Sequence, residues 1–467
     1  MYNKVKIGVA PTKRAFLSMD EAKRQKDRFM KIICGIKPER IELVDLDDVC
    51  ENGIAFRGAD VAPAVAKLKA AGIDALFIPH CDFGEETVIT AIAAALRVPT
   101  LLWGARDEKP NAPGARGRDT QCGIFACSKV LLRLGVKFSY IFNCEPESGE
   151  FQSGFETFAR VAAVMKKLHG LRIAKIGARP AGFLSVVSDE ALLMSKLGIV
   201  TVPIAPVQVA TLAGKLVAEN DEAFASYYAD ARSRIDFSAL PEEKAKNAVA
   251  LVVALKKLME QNQCAAGALE CWSAFGGLIG ITPCLAVGEL ADMGLPLSCE
   301  TDVNGAVTLA ILDAVSLGEG APFFADLTIR HPGNDNAELL WHCGPFPYSL
   351  KDPACPARME GGNETWMLKK GDITICRFDD LDGRFYLFGG EGRAVDGPET
   401  TGTYVWFEVD NWKKWEEAFI FGPYIHHVGG IYGKYRRALQ EVARYLDGAV
   451  FESPDIPALG RPGATCL

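Results

Sequence analysis

Four residues in the C-terminal part of the chain have side chains that commonly bind divalent metal ions. They are Glu300 in CETDVNGA, Asp326 in PFFADLT, His342 in ELLWHC and His427 in HHVGGIYG. Two carboxylates and two imidazoles suit a hard or borderline cation and can leave coordination positions open for a substrate. The chain has only six histidines, and His342, His426 and His427 are three of them. If these side chains converge, the protein is a metal enzyme.

Several of these polar residues lie in or next to apolar segments, where a polar side chain usually has a specific role. Glu300 ends a short apolar strand just before a helix, which is the edge of a parallel sheet where ligand sites gather. Asp326 and His342 lie inside apolar strands, where a carboxylate is costly unless it is paired or bound to a metal. Each residue alone could be a cap, a salt-bridge partner or a hydrogen-bonded core residue. Asp302 is predicted to be a helix N-cap, and Glu270 is a second strand-end acid with either a substrate-binding or a structural role.

The order of the predicted elements indicates what must position these residues. Short apolar runs such as VKIGVAP, RIELVD, ALFIPH and PTLLWG alternate with helical patterns, which predicts a parallel α/β domain over residues 1–145. A second such domain is predicted over 146–318 and carries Glu300. Strand-like segments joined by turns then predict a mostly antiparallel, barrel-like β domain over 319–467, which carries the other three residues. The predicted fold class is therefore α/β, with two doubly wound parallel-sheet domains followed by a β-rich domain.

The amino-acid composition limits the kinds of molecule that the protein is expected to bind. The 467 residues are 49% hydrophobic and 24% charged with a net charge of −8, which is ordinary for a globular protein and argues against nucleic-acid or anionic-membrane binding. The start, MYNKVKIGVAP, lacks a signal-peptide core, and no apolar run approaches the roughly 18–20 residues that span a bilayer. The fourteen cysteines form no CxxC pair and are expected to be reduced. We therefore expect a cytoplasmic protein.

The quoted motifs resemble those of the L-fucose isomerase and L-arabinose isomerase superfamily. CETDVNGA resembles the first metal-glutamate motif, and FFADLT resembles the second metal-carboxylate motif at a similar spacing. WHC is similar to the histidine strand of the arabinose branch, and HHVGGIYG to the histidine motif of the fucose branch, with His427 in the ligand register. The early segments IGVAPTKRAF, PHCDFGEET and LLWGARDE also look like the N-terminal domain of the fucose branch. Asp326 favours the fucose branch and His342 the arabinose branch, so the resemblance is to a divergent member closer to the fucose enzymes.

This resemblance implies a metal-dependent aldose–ketose isomerase, an intramolecular oxidoreductase. Its substrate would be a deoxyhexose, a pentose or a hexose with an anionic group at C6. A proton would move between C1 and C2 through a metal-stabilised cis-enediol. Glu300 and Asp326 would be both ligands and acid/base groups, His427 a pure ligand, and His342 either a fourth ligand or a contact to a sugar hydroxyl. Manganese is the expected cation, with cobalt and magnesium as alternatives.

Further substrate contacts are predicted at His426, Arg14, Trp103, Arg106 and Glu270. For Arg14 and Trp103, packing or solvation explains the residue equally well. The resemblance also implies a homo-oligomer, a hexamer, in which the N-terminal domain of a neighbouring subunit completes the active site.

Other functions stay open at this point. A non-catalytic sugar-binding protein or sensor could use the same α/β scaffold, and it would bind metal substoichiometrically without activation. A glycoside hydrolase with paired carboxylates would not need His342 or His427. A nicotinamide dehydrogenase is disfavoured because GGEGRAVDG lacks the GxGxxG spacing, and we interpret that segment as a β-turn region.

Overall fold

The computed structural model describes residues 4–110, 114 and 116–454. The chain forms two compact units, Met1–Lys166 and Lys167–Leu467. The finer division into three domains, with boundaries after residues 145 and 318, stays a prediction.

The first unit alternates strands and helices, as its sequence pattern predicts. Its elements are, in chain order, β1 (Val5–Val9), α1 (Met19–Ile33), β2 (Ile41–Val44), α2 (Val61–Ala71), β3 (Ala75–His80), α3 (Glu86–Leu96), β4 (Thr100–Gly104), α4 (Thr120–Arg133), β5 (Phe138–Tyr140) and α5 (Gly149–Leu168). In the described part of this unit the strands form a five-stranded sheet of order β2–β1–β3–β4–β5. Every neighbouring pair in it is parallel, which is the pattern that βαβ units produce.

The second unit begins with another parallel α/β arrangement. Its elements are β6 (Arg172–Ile176), α6 (Glu190–Leu197), β7 (Val200–Ile204), α7 (Pro206–Ala218), α8 (Glu222–Arg234), α9 (Glu242–Gln261), β8 (Ala266–Leu269), α10 (Phe275–Ile279), α11 (Cys284–Asp292), β9 (Leu297–Ser298) and α12 (Val303–Val315). Among the residues described, the sheet has four parallel strands in the order β7–β6–β8–β9. The chain leaves β9 directly towards Glu300 and α12.

Helix α12 is buried on all sides, since every residue from Val303 to Val315 is buried. Its sequence VNGAVTLAILDAV is mostly apolar and has no charged face, which is typical of a core helix. The helix packs against both the parallel sheet and strands of the β-rich region that follows it. No helix within the described ranges is long and apolar enough to cross a membrane.

The β-rich region that follows closes into a barrel. Its elements are β10 (Phe323–Arg330), β11 (Ala337–His342), β12 (Arg358–Glu360), β13 (Asn363–Met367), β14 (Asp372–Leu381), β15 (Arg384–Val395), β16 (Thr403–Glu408), α13 (Trp412–Phe421), β17 (His427–Tyr432), α14 (Arg436–Tyr445) and β18 (Val450–Glu452). Six of the described strands form a ring of antiparallel neighbours, β16–β11–β10–β17–β14–β15, which the β15–β16 pairing closes. The predicted fold class is thus confirmed.

One local interpretation of the sequence is wrong. The segment GGEGRAV is not a turn region but the second half of strand β15. Its glycines allow close contacts instead of a turn: a Cβ on Gly392 would stand 2.3 Å from the Glu408 carbonyl oxygen, and one on Gly390 would stand 2.4 Å from the Trp415 ring. The barrel wall therefore needs glycine where the sequence suggested a chain reversal.

The glycines after the histidine pair have a similar role. A Cβ on Gly429 in β17 would stand 2.6 Å from Leu312 Cδ1 in α12. Because Gly429 has no side chain, β17 can lie directly on α12. The first residue of this strand is His427, and the N-cap of the helix is Asp302. The same close packing therefore brings these two residues together.

Candidate active site

Glu300 lies in a strained turn between β9 and α12. Its φ is +54° and that of Thr301 is +53°, a left-handed conformation that non-glycine residues rarely adopt. Two bonds hold the turn: the Thr301 amide donates to the Leu269 carbonyl at 3.1 Å, and its hydroxyl donates to the Ala178 carbonyl at 3.0 Å. Strain of this kind costs of order 1–3 kcal/mol per residue and tends to occur at functional sites.

Asp326 and His427 come from neighbouring barrel strands. They are directly opposite each other in the antiparallel pairing of β10 with β17. His427 is almost completely buried, and Asp326 is partly buried. The Asp326 Oδ1 atom lies 3.6 Å from His427 Nε2. The barrel register thus creates this pair from residues far apart in the sequence.

Glu300 and His342 lie next to the same pair. Glu300 Oε2 is 3.2 Å from His427 Nε2 and 3.9 Å from His342 Nε2. The structure therefore brings together the four residues that the sequence singles out, and we call Glu300, Asp326, His342 and His427 the His427 cluster. His426 adjoins it, since Asp326, His426 and His427 each offer a ligand atom within 4.8 Å of the others.

Three atoms of the His427 cluster lack the hydrogen bonds that buried polar atoms normally make. Glu300 Oε2, Asp326 Oδ1 and His342 Nε2 are buried, and none has a hydrogen-bond partner among the residues described. Unsatisfied buried polar atoms are rare and each needs an explanation, such as an ion or a ligand. Two carboxylate oxygens beside imidazole nitrogens form a donor set that suits Mn²⁺, Co²⁺ or Mg²⁺. The cluster therefore fits a divalent cation.

A second layer holds His427 in place. Its Nδ1 lies 3.0 Å from Asp302 Oδ2. Asp302 is also the N-cap of α12, where Oδ1 accepts the Gly305 amide at 2.8 Å. The predicted capping role is thus correct, but it is only part of what Asp302 does. The same carboxylate forms an ion pair with Arg377, whose side chain is fully buried.

The charges of the site perturb one another. Burial acts to lower the pKa of His427, but the adjacent carboxylates of Asp302 and Glu300 outweigh that effect and raise the pKa to about 9. Burial likewise opposes protonation of His342, yet the contact with Cys343 raises its pKa to about 10. Burial acts to raise the pKa of Glu300, but His427 and His342 outweigh that effect and keep the pKa below its ordinary value. Perturbed pairs of this kind are typical of functional sites.

An aromatic wall lies beside the cluster. The Phe183 ring stacks on His427 at 5.9 Å between centroids, and Trp272 contacts Phe183 edge-on at 6.5 Å. The Trp272 side chain is 56% exposed. Sequence reasoning missed both residues, although each follows a strand of the parallel sheet and so lies in the class of loop that binds ligands in α/β proteins.

Arg377 is the other residue that sequence reasoning missed. It lies within the apolar strand ITICRF, and a charge in an apolar strand is the same signal that identified Asp326. A fully buried guanidinium requires acidic partners, and the structure supplies them as Asp302 and Asp379. The signal was therefore present, but the partners could not be read from the sequence.

The remaining residues that were predicted to contact the substrate do not belong to the His427 cluster. Glu270 accepts the Ala178 amide at 2.8 Å and the Ser273 hydroxyl at 2.7 Å. Arg14, in the first unit, pairs with Glu85 at 3.2 Å. In the same unit, Trp103 is 1% exposed and packs in an aromatic cluster with Phe29, Phe77 and Phe151, whereas Arg106 is exposed. Substrate contact by these residues stays a prediction.

Comparison with known proteins finds similar sugar isomerases. Residues 8–169 match the family described as "Fucose/sulfoquinovose isomerase, N-terminal domain". A sulfoquinovose isomerase of Priestia aryabhattai is 25% identical over 389 residues, which cover 81% of this chain and 85% of that protein. Another, of Clostridium sp. (strain MSTE9), is 27% identical over 338 residues, 69% of this chain and 73% of its own length.

The chain is thus similar to the fucose isomerase-like superfamily, through its N-terminal match and through relatives about 25% identical over most of its length. The resemblance that its motifs suggested is therefore confirmed. The similarity to these isomerases over most of the chain supports an enzyme, a sugar aldose–ketose isomerase. The His427 cluster, with three unsatisfied buried atoms, is the candidate for its active site.

Proposed function

We propose that this chain is a divalent-metal-dependent isomerase that interconverts the aldose and ketose forms of a hexose with an anionic group at C6. The reaction class comes from the superfamily. The observation that carries the metal dependence is the convergence of two buried carboxylate atoms without hydrogen-bond partners, Glu300 Oε2 and Asp326 Oδ1, on His427 Nε2. The substrate class comes from the relatives, which are named sulfoquinovose isomerases.

Glu300, Asp326 and His427 would hold the cation. When bound, a divalent cation polarises a carbonyl and stabilises negative charge that develops on the neighbouring oxygens of a sugar. His427 would bind through Nε2, because its Nδ1 is already engaged with Asp302. Mn²⁺ is the ion that we propose, and Co²⁺ and Mg²⁺ are the alternatives to test.

His342 has a different role in this proposal. Nε2 of His342 carries a proton in both forms of the ring: the cation, which the raised pKa favours, is protonated on both nitrogens, and in the neutral ring Nδ1 accepts the Cys343 backbone amide at 2.9 Å. A protonated Nε2 cannot bind a metal, but it can donate a hydrogen bond. We therefore assign His342 to a hydroxyl of the sugar or to Glu300, whose Oε2 lies 3.9 Å away, and not to the metal.

The two carboxylates would also carry out the proton transfer. Isomerisation removes the proton from C2 and delivers one to C1, so it needs a base and an acid that reach adjacent carbons. Glu300 Oε2 and Asp326 Oδ1 lie on different elements but within 3.2 and 3.6 Å of the same His427 nitrogen. In our proposal they exchange the proton with a cis-enediol form of the sugar.

The surroundings of the cluster would orient the sugar. Phe183 and Trp272 offer aromatic faces beside His427, and such faces pack against the C–H surface of a sugar and exclude water. The partly exposed His426 lies 4.0 Å from Asp326 Oδ1 and could contact a polar substituent. The arginines predicted for substrate binding, Arg14 and Arg106, would come from a neighbouring subunit of a homo-oligomer.

The test is an assay of chelated and remetallated protein. Sulfoquinovose, a C6-sulfonated hexose, is compared with glucose 6-phosphate, L-fucose and L-arabinose, each with and without added Mn²⁺. We expect conversion to the ketose to depend on Mn²⁺ and to favour the anionic hexoses. In D₂O the product should carry deuterium at C1, since solvent exchanges with a proton on a carboxylate.

Matched variants locate the reaction. Glu300→Gln and Asp326→Asn should abolish conversion, whereas Glu338→Gln should not, although Glu338 is also a buried carboxylate with an unpaired oxygen. Full activity of rigorously metal-free protein would refute the metal dependence. A product without deuterium would refute proton transfer in favour of a hydride shift.

A further inference from the structure

Arg377 in β14 is a charged residue at the centre of the second unit. Its side chain has 0% exposure, and its guanidinium uses both terminal nitrogens on Asp302 and its Nε on Asp379, the last at 2.9 Å. Both acids are themselves buried. Burying three charges is expensive, and such groups persist where good geometry compensates the desolvation or where they have a function.

The contacts of Arg377 lead to the candidate metal site. Asp302 Oδ2, which the guanidinium contacts, lies 3.0 Å from His427 Nδ1. Asp302 Oδ1 accepts from Arg377 at 3.2 Å and from the Gly305 amide at 2.8 Å. Each carboxylate oxygen therefore has two contacts, and the acceptor that faces the histidine is held from several sides.

The same helix anchors the other side of Arg377. Asn304, in the first turn of α12, donates to Asp379 Oδ1 at 2.8 Å. The Phe378 amide in β14 donates to the Thr308 hydroxyl on α12 at 2.9 Å. These two bonds connect strand β14, which carries Arg377, to helix α12, whose N-cap is Asp302. They therefore help to fix the distance between Arg377 and Asp302.

We propose that Arg377 is a positioning residue for the metal-binding histidine. It holds the Asp302 carboxylate in place as the acceptor for the Nδ1 proton of His427, so that His427 presents the lone pair of Nε2 to the cation. The bond made by the other ring nitrogen sets which nitrogen of a histidine can bind a metal. The inference rests on the proposed metal dependence, and it adds a residue that has no direct contact with substrate or cation.

The alternative is a purely structural ion pair, and the chain offers a matched example. Arg234 in α8 donates both terminal nitrogens to Glu289 at 3.0 and 2.8 Å, in the same unit. Glu289 is buried like Asp302. If Arg377 only stabilised the fold, changing either arginine would affect stability alone.

The experiment compares Arg377→Lys, Asp302→Asn and Arg234→Lys. Lysine keeps the charge but loses the two-pronged contact, and asparagine is as good an N-cap as aspartate. For each purified variant, the Kd for Mn²⁺ is measured from the EPR signal of free Mn²⁺, and the Tm is measured without metal. The visible spectrum of the Co²⁺-loaded protein reports the ligand geometry.

We expect Arg377→Lys and Asp302→Asn to weaken Mn²⁺ binding about 10–100-fold, the usual effect of losing a partner behind a metal-bound histidine, and to alter the Co²⁺ spectrum. Arg234→Lys should lower the Tm and leave the Kd and the spectrum as in the parent. If Arg377→Lys does not fold, Asp379→Asn replaces it, and a Kd weaker than that of the parent is again expected.

Two results would overturn the inference. The first is that Asp302→Asn and Arg377→Lys, or Asp379→Asn in its place, have the same Kd and the same Co²⁺ spectrum as the parent. The ion pair would then be structural, and the proposed function would stand. The second is a parent protein that binds no Mn²⁺ or Co²⁺, which would refute the proposed metal dependence itself.

Discussion

Two ionic clusters that contain buried carboxylates, both in the second unit, differ in how completely their polar atoms are satisfied. In the Arg234 cluster, formed by Arg234, Glu289 and Tyr227, both oxygens of the glutamate accept hydrogen bonds from the guanidinium, and the tyrosine hydroxyl donates to one of them as well. In the His427 cluster, by contrast, two carboxylate oxygens and one imidazole nitrogen have no hydrogen-bond partner among the described residues.

The difference distinguishes a structural cluster from a binding site. Buried charges carry a large desolvation penalty, and hydrogen bonds within the protein can offset it. The Arg234 cluster meets that requirement internally. The His427 cluster leaves atoms unsatisfied where they converge, which is the arrangement expected of a site that a ligand completes. Burial and charge alone do not identify a site, whereas convergent unsatisfied atoms do.

Glu300→Gln should have the largest effect. Loss of a ligand that is also an acid/base group is expected to lower kcat by about 10³-fold or more. The Tm of metal-free protein should fall only slightly, because glutamine keeps the shape of the side chain and the substitution removes only the charge contact of Glu300 Oε2 with His427 Nε2 at 3.2 Å. Steady-state kinetics and thermal unfolding measure the two quantities, and parental activity would refute the assignment.

Arg234→Met should show the opposite behaviour. It leaves the Glu289 carboxylate buried without its cation, which is expected to cost about 3 kcal/mol of unfolding free energy. The kcat of the folded fraction should match that of the parent. Urea unfolding gives the stability, and the double variant Arg234→Met with Glu289→Gln should recover part of the loss. A large fall in kcat in fully folded Arg234→Met protein would show that the Arg234 cluster also contributes to activity.

Metal addition should stabilise only proteins with an intact His427 cluster. At a Mn²⁺ concentration of about 100 times Kd, the parent should gain about 2.7 kcal/mol by mass action. Arg234→Met should gain the same increment despite its lower starting stability, and Glu300→Gln should gain almost none. Thermal unfolding with chelator and with Mn²⁺ checks this, and an equal gain in all three proteins would place the ion elsewhere.

Glu338 tests whether a single unsatisfied buried atom is enough to identify a binding site. Its Oε2 is buried without a partner among the described residues, and burial raises its pKa from 4.5 to about 7. The folded state therefore holds the proton more tightly, and stability is lost as the pH rises from about 4.5 to about 7.

The matched variant Glu338→Gln lacks this titration. It should be more stable than the parent by about 2 kcal/mol at pH 8, less than the full shift implies because buried carboxylates relax, and the advantage should vanish near pH 4.5. Urea unfolding at several pH values measures the difference. A pH-independent difference would show that Glu338 does not titrate abnormally.

Much of the fold could be predicted because local patterns decide it. The alternation of apolar strands and helices predicted both parallel sheets, and the strand-rich C-terminal part predicted the barrel. GGEGRAV was misread because glycines favour turns locally, whereas here Gly390 and Gly392 make room for Trp415 and a neighbouring strand. That requirement comes from packing partners distant in the sequence, which no local pattern reveals.

The candidate site was predictable to a similar degree. Asp326 and His342 were recognisable because a polar side chain in an apolar strand needs a partner. Arg377 gives the same signal in ITICRF, but a buried arginine has many possible partners. Phe183 and Trp272 could not be selected either, because an aromatic residue in a loop has no distinctive pattern of its own.

The sequence by itself determined which residue types are available for the chemistry and which elements carry them, since helix and strand periodicity and apolar context depend on neighbours along the chain. Only the tertiary structure decided which of them meet. The register of β10 with β17 places Asp326 opposite His427, and the packing of α12 on the barrel brings Asp302 to the same histidine and to Arg377. These contacts join segments far apart in the chain, so they arise from close packing of the whole unit and not from any local preference.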